Sequence, residues 1–451
     1  MVFILIGILL SFVSQSVATV ILVMSSLSIL LLSFEEFLVT KWFFVDYFSQ
    51  QMVILLVWLF FVILISTVEK MKMKFFLMNS LVFICGLFFI TKSVLLIFIL
   101  FELSIFPILI LVLGWGAQPE RIQAGFFLLA YTLFCSCPLF LMVCYSQMNG
   151  KEFIIWSSTF LSTPFFTSTL FTVFLLLGFL SKIPIFLTHI WLPKAHVEAT
   201  MQGSMFLAGI LLKLGVFGLI RTLPLLEFMF NKALSFFMAV SIFGTVFAAL
   251  IASSSDDVKM TIAYASVSHM NLVIFSIFTQ KLLGKGSAII TSFSHGMSSS
   301  LLFFSVYLVY NITHSRSMLL NKGISGIFPI LILVFFLSWA LNLSIPPSMG
   351  FWGELLSVIS SFSFFVESTF ILGIYFLLSS FYSMFSFGVL THSESSFLIK
   401  HCSGKCMDLL SSFLLVTPLV WWFSCNSLDL PGENPKKYLC IYWYKPSERT
   451  K

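Results

Sequence analysis

The sequence predicts an all-α integral membrane protein of about 14 transmembrane helices. Three observations predict it. Of the 451 residues, 59% are apolar and only 9% charged, against about 25% charged in a soluble chain. The mean hydropathy is +1.07. The apolar runs are continuous rather than alternating, which excludes a transmembrane β-barrel. With 24 Lys and Arg and 18 Asp and Glu, the chain cannot clothe a water-facing surface. A soluble enzyme, a disordered chain and a disulfide-stapled secreted module are therefore excluded. The formal net charge of +6 is spread thinly, with no long basic block, so no nucleic-acid partner is expected; lipid is the expected solvent.

Charges, Pro/Gly clusters and polar stretches mark the element boundaries. Residues 2–33 suffice for one tilted helix or two short ones, with Ser14-Gln15-Ser16 as the break. The first charge is Glu35. No basic leader, cleavage site or Arg/Ser-rich amphipathic leader precedes it, so neither a secretory nor an imported organellar precursor is expected. Further spans are expected at 49–67, 76–91, 93–115, 124–147 and 166–190. They continue at 202–222, 234–253, 257–279, 284–310, 325–360, 369–391 and 408–425. The residues beyond Asp429 are rich in charge and read as a water-exposed tail.

Residues 325–360 would form a helix of about 54 Å, against a hydrocarbon core of about 30 Å. The stretch contains Ile345-Pro346-Pro347, then Gly350 and Gly353. Two prolines remove two backbone donors and clash with the preceding turn. The stretch is therefore two spans or one broken helix. A similar break is possible at Lys182-Ile183-Pro184. Broken helices persist in membranes only where protein or water satisfies the freed carbonyls, and they often mark ion paths; the alternative is a plain proline kink.

The eight cysteines are scattered. His401-Cys402 and Cys406 lack the further ligands of a zinc site, so the thiols read as small apolar residues and no metal is expected. No P-loop, no GxGxxG opening a helix after a strand and no CxxC pair is present, so no cofactor is expected on this chain. The serines of Gly-Met-Ser-Ser-Ser after His295 read as helix-contact residues rather than nucleophiles.

Six ionisable residues fall deep inside the spans, away from their ends: Glu102, Lys182, Lys213, His269, His295 and Glu354. A central Lys or Asp costs about 2.5 to 3.5 kcal/mol on insertion scales. Snorkelling or a structural ion pair could explain one such residue, but six on different spans point to function. The chemistry they suggest is proton transfer. A lysine or glutamate taken out of water can exchange a proton near neutral pH, and histidine already does so. Glu102 within about 4 Å of Lys182 would attract its charged form by about 4 kcal/mol at an effective dielectric near 20. Pairing and unpairing of the two would gate a proton.

Five stretches together carry a resemblance. They are GWGAQPERIQAG at 114–125, GFLSKIPIFLTHIWLPKAHVEATMQGSMFLAGILLKLGVFGLIR at 178–221, DDVKMTIAYASVSHMNLV at 256–273, SHGMSSSLLF at 294–303 and LNLSIPPSMGFWGE at 341–354. Over roughly 90–360 they closely resemble the chain 4 family of mitochondrial NADH–ubiquinone oxidoreductase, one of the antiporter-like subunits of respiratory complex I. The resemblance implies 14 transmembrane helices with two inverted five-helix repeats, each containing a broken helix. It divides the chain into N-terminal helices (1–90), a first half (91–255), a second half (256–391) and a C-terminal helix with polar tail (392–451). It implies a mitochondrial inner-membrane location and a proton-translocating role within an oxidoreductase. Glu102 and Lys182 match the family's Glu–Lys pair, and Lys213 its central lysine. His269 and His295 match its bridging histidines, and Glu354 the exit-side glutamate.

The resemblance also implies that flavin, iron–sulfur clusters, NADH and ubiquinone belong to other subunits. The implied partners are those membrane-arm subunits, including neighbouring antiporter-like ones. Moving one charge against 100 mV costs about 2.3 kcal/mol, so the driving force must come from outside this chain. The sequence departs from the family at Thr200, usually proline, which is expected to loosen the helix start. It departs at Asn271, usually small, which is expected to add a polar group near His269. The core motifs are shared with multi-subunit cation/proton antiporters, the competing reading; the QPER loop and the length favour the oxidoreductase. A purely structural scaffold would not need the six buried titratable groups.

Overall fold

The computed structural model describes residues 43–66, 72–116, 118–148, 169–226, 232–323, 329–392 and 406–426. The expected span at 2–33, the His401-Cys402 pair and the tail beyond 426 lie outside the described residues. The described residues form sixteen α-helices and one π-helical turn. The first five are α1 (Tyr47–Ser66), α2 (Lys72–Ile90), α3 (Val94–Leu103), α4 (Ile105–Trp115) and α5 (Arg121–Met148). Then come α6 (Thr169–Lys182), α7 (Trp191–Glu198), α8 (Met201–Phe206), the π turn (Leu207–Leu211) and α9 (Leu212–Leu226). The remainder are α10 (Lys232–Ser254), α11 (Val258–Phe278), α12 (Leu282–Thr313), α13 (Pro329–Asn342), α14 (Met349–Phe362), α15 (Val366–His392) and α16 (Cys406–Asn426). Nine spans among the described residues are long and apolar enough to cross a membrane.

The helices sort by burial. The most apolar windows of Met201–Thr222, Val258–Phe278 and Leu282–Thr313 are 100%, 94% and 94% buried, against 28% in Arg121–Cys144 and 33% in Val366–His392. The first three are therefore the inner helices. They carry Lys213, His269 and His295, and they are rich in Ser, Thr and Gly as well as Leu and Phe. α5 and α15 turn Phe126, Phe134, Leu141, Phe370 and Leu377 outward, as lipid-facing helices do.

Small residues set the spacing of the inner helices, since they let backbones approach. Gly209 of the π turn faces Gly296 of α12. A Cβ at Gly296 would lie 3.2 Å from the Gly209 oxygen and 2.6 Å from Leu55 Cδ1. Gly215 packs on the end of α6, where a Cβ would lie 3.2 Å from Ile183 N and from Phe179 O.

The expected span at 166–190 does not run through. It stops at Lys182 and resumes as α7, because Pro184 has no N–H to give Leu180. The freed groups find local partners. Thr188 Oγ1 donates to Leu180 O at 3.1 Å, Trp191 Nε1 to Ser181 O at 2.9 Å, and Asn271 Nδ2 to Pro184 O at 3.1 Å. The long 325–360 stretch breaks as expected. α13 ends at Asn342, Ser344 takes a left-handed conformation (φ 57°), and α14 starts at Met349. The 93–115 span is also interrupted, at Ser104 between α3 and α4, three residues before Pro107.

The structure gives both sequence departures local partners. Thr200 does not loosen the helix start: it caps α8, its Oγ1 accepting from Gly203 N at 3.4 Å. Asn271 donates its amide to the first break and to Val267 O at 2.9 Å. Its physical role is to satisfy the carbonyl of a proline turn.

Candidate functional site: a buried line of titratable groups

Each of the six sequence-selected residues lies at a break, beside a helix irregularity, or on an inner helix. Lys182 ends α6 at the first break. It is 3% exposed, and its ammonium reaches across to the interruption between α3 and α4. There Nζ donates to Phe101 O and to Ser104 Oγ at 3.1 Å, and it sits 3.4 Å over the Phe101 ring. These acceptors flank Glu102, which lies within the electrostatic reach of Lys182. The Glu102 oxygens accept no hydrogen bond from Lys182. The pair is thus adjacent but disengaged: the interrupted helix, not the carboxylate, holds the ammonium.

Lys213 follows the π turn. A π bulge shifts the carbonyl ladder out of its i→i−4 register, and such bulges occur often at functional sites. Here Ala208 O accepts from Lys213 Nζ at 2.6 Å. The same ammonium donates to His295 Nδ1 at 2.8 Å. The Gly209–Gly296 contact brings the two helices close enough for this bond. Lys213 is fully buried and His295 is 5% exposed.

The line continues through the histidines. The His295 and His269 rings stand 5.6 Å apart, centroid to centroid. The Nε2 atoms of both are buried without a hydrogen-bond partner. On its other side, His269 Nδ1 lies 3.3 Å from Glu354 Oε1 and 3.1 Å from the Tyr375 hydroxyl. The structure therefore joins Lys213, His295, His269 and Glu354 in one continuous row. Glu102 and Lys182 form a second cluster, and no hydrogen bond links Lys182 to Lys213. The contact of Gly215 with the end of α6 brings the two clusters onto neighbouring helices.

Three features escaped the sequence reading. His196, within the WLPKAHVEA run, is fully buried, and neither ring nitrogen has a hydrogen-bond partner. Its ring stacks on Phe303 at 4.7 Å. Its place in a short polar helix rather than mid-span hid it. Tyr375 carried no charge to mark it. The third is a polar cluster at the end of α7. Arg316 Nη1 donates to Val197 O at 3.0 Å and to Glu198 Oε1 at 3.3 Å, and Lys259 Nζ donates to Ala199 O at 3.2 Å. These basic groups line a cavity of about 550 Å³, with Phe303, Tyr307 and Asp257 among its other walls. Burial of His196 beside this cavity could be found only from the fold.

The comparisons with known proteins agree with this geometry. A family model described as NADH:quinone oxidoreductase/Mrp antiporter, transmembrane, matches residues 91–383. NADH-ubiquinone oxidoreductase chain 4 of Rhipicephalus sanguineus is 36% identical over 396 residues, covering 85% of this chain and 88% of that protein. The chain 4 protein of Artemia franciscana is 38% identical over 322 residues, covering 71% of this chain and 81% of that one. The fold is similar to a chain of respiratory complex I from Thermus thermophilus with bound NADH, with a TM-score of 0.84 at 19% identity, covering 97% of this chain and 98% of that one. It is also similar to a chain of an archaeal membrane-bound sulfane sulfur reductase, with a TM-score of 0.81 at 15% identity, covering 95% and 94%. The all-helical, antiporter-like membrane fold and the identity to these relatives lead to one assignment: the chain belongs to the NADH–ubiquinone oxidoreductase chain 4 family, the multi-pass, proton-translocating membrane-arm subunits of complex I in the mitochondrial inner membrane.

Proposed function

We propose that protons cross this subunit along the buried row of Lys213, His295, His269 and Glu354, gated by Glu102 and Lys182. The observation that carries this reading is the row of close approaches from Lys213 to Glu354: 2.8 Å from Lys213 Nζ to His295 Nδ1, 5.6 Å between the His295 and His269 ring centroids, and 3.3 Å from His269 Nδ1 to Glu354 Oε1. An imidazole can take a proton on one ring nitrogen and release one from the other. Lys213 faces His295 Nδ1. His295 Nε2 can then pass a proton to His269 Nε2, directly or through a water, and His269 Nδ1 faces Glu354. Buried ring nitrogens without a protein partner are where a bridging water is expected.

The complete subunit has 14 transmembrane helices in this reading, with two inverted five-helix repeats at 91–255 and 256–391. Support comes from the two broken helices, α6–α7 and α13–α14. Each half supplies part of the site: Lys213 of the row with the Glu102–Lys182 cluster from the first, and His269, His295 and Glu354 of the row from the second. Redox chemistry belongs to other subunits, which hold the flavin, the iron–sulfur clusters, NADH and ubiquinone. The sequence supports this by carrying none of the phosphate-binding or paired-cysteine motifs that such groups use.

Lys182→Ala tests the gate. The variant is expected to insert and assemble, because the acceptors it uncovers, Phe101 O and Ser104 Oγ, are uncharged and Glu102 makes no hydrogen bond to Lys182. NADH-driven proton uptake into proteoliposomes should be lost. Proton pumping at the wild-type rate would remove Lys182 from the mechanism.

A further inference from the structure

We propose that the cavity at the end of α7 is a binding site for a phosphate group, carried by an anionic phospholipid or free in solution. The proposal is independent of the proton row. The cavity, of about 550 Å³, is lined by Lys74, Lys259, Arg316 and Asp257 together with Trp115 and Tyr310. Lys74 and Lys259 lie at the start of two membrane-spanning stretches, and Trp115 and Tyr310 at the end of two others. Trp and Tyr mark the membrane–water interface. The cavity therefore lies at the depth where headgroup phosphates sit and where ions arrive from the water.

The cavity carries more positive than negative charge. Arg316 Nη1 and Lys259 Nζ converge on one carbonyl, Val197 O, at 3.0 and 3.4 Å. Like charges that close repel. Glu198, the carboxylate beside them, pairs with Arg316 at 3.3 Å, and among the described residues Lys259 forms no ion pair. Counting Glu198 behind the wall, three cations face two carboxylates, and the aromatic walls focus the surplus into the cavity. Arg316 spends Nη1 on Val197 O and Glu198, and among the described residues its Nη2 donates to no acceptor. A guanidinium presents its donors as a fork that matches a phosphate, and a lysine adds a point charge. A phosphate held between Arg316 Nη2 and Lys259 Nζ cancels the repulsion between two cations that both fasten the last carbonyls of α7. Basic pockets at the ends of membrane helices take phospholipid headgroups in this way.

The test reads the reactivity of the Lys259 amine in the assembled complex. The complex is washed free of phospholipid in detergent and treated with acetic anhydride, and acetylation of Lys259 is followed by peptide mass spectrometry. Lys281, exposed just ahead of α12, is the internal control. The probes are sodium phosphate and, separately, phosphatidylglycerol in mixed micelles; sodium chloride at matched ionic strength controls for screening. At ten times the half-protecting concentration, Lys259 should react about 11-fold more slowly while Lys281 is unchanged, because only the empty site reacts. Protection by phosphatidylglycerol but not by inorganic phosphate assigns the site to a lipid headgroup. Protection by inorganic phosphate, with or without the lipid, assigns it to the phosphate group itself. A Lys259 that reacts at one rate in every condition, or that chloride slows equally, overturns the proposal. Arg316→Lys keeps the charge and removes the fork. It should raise the half-protecting concentration about tenfold or more, as loss of a charge-assisted hydrogen bond does; an unchanged concentration would also overturn the proposal. Should Arg316→Lys not assemble, the wild-type measurements decide the matter alone.

Discussion

A single methyl group at Gly296 should disconnect the proton row without touching any titratable side chain. Gly296 follows His295 on α12 and faces Gly209 of the π turn that precedes Lys213. A Cβ at position 296 would meet the Gly209 oxygen at 3.2 Å and Leu55 Cδ1 at 2.6 Å, whereas carbon contacts settle at about 3.5 to 4.0 Å. Leu55 can swing its methyl aside. The Gly209 carbonyl is backbone and must move with its helix by a few tenths of an ångström. The Lys213–His295 bond, now 2.8 Å, would lengthen to about 3.2 Å or more, at or past the edge of the range for efficient proton transfer. Overpacking of this kind costs about 1 to 3 kcal/mol, so the variant should still assemble. Gly286→Ala on the same helix is the control, because a Cβ there meets nothing within 4 Å. Assembly would be scored by native gel and pumping by proton uptake into proteoliposomes. Gly296→Ala should assemble and pump poorly, while Gly286→Ala should match wild type. Equal pumping by the two variants would refute the claim that this glycine contact sets the donor–acceptor distance.

Two further predictions concern the frame around the row. Arg221 and Asp46 form a largely buried ion pair at 2.7 Å that ties α9 to the start of α1. Arg221→Ala leaves Asp46 with only its bond from Ser49 N and should cost about 1.5 to 3 kcal/mol, read as a lower thermal midpoint for the assembled subunit; an unchanged midpoint would show that the pair is dispensable. Asn271→Leu keeps the volume but withdraws the donor from Pro184 O, at a cost of about 1 to 3 kcal/mol. A lower thermal midpoint for the assembled subunit would report the loosened break, and an unchanged midpoint would count against it.

Much of the proposed site was legible before the fold. Glu102, Lys182, Lys213, His269, His295 and Glu354 stood out because an ionisable group in lipid is costly, and that cost is a property of sequence alone. The double proline announced the second break for an equally local reason. What sequence could not supply was adjacency. Lys213 and His295 are 82 residues apart, and helix packing that includes the Gly209–Gly296 contact brings them together. The partner of Asn271 was not legible because Pro184 O lies 87 residues away. His196 and Tyr375 were missed for a related reason. Each matters through what surrounds it: an apolar stack on Phe303 in one case, a shared nitrogen of His269 in the other.

The central claim is that protons pass through the row beginning at Lys213. Lys213→Met tests it most directly, since methionine fills similar space, leaves no charge behind and removes the donor to both Ala208 O and His295. The measurement is NADH-driven proton uptake by proteoliposomes holding complex I with this substitution, its assembly and NADH-active flavin site confirmed beforehand by native gel. The account predicts that uptake through this subunit is lost. Uptake equal to wild type in a fully assembled complex would contradict it.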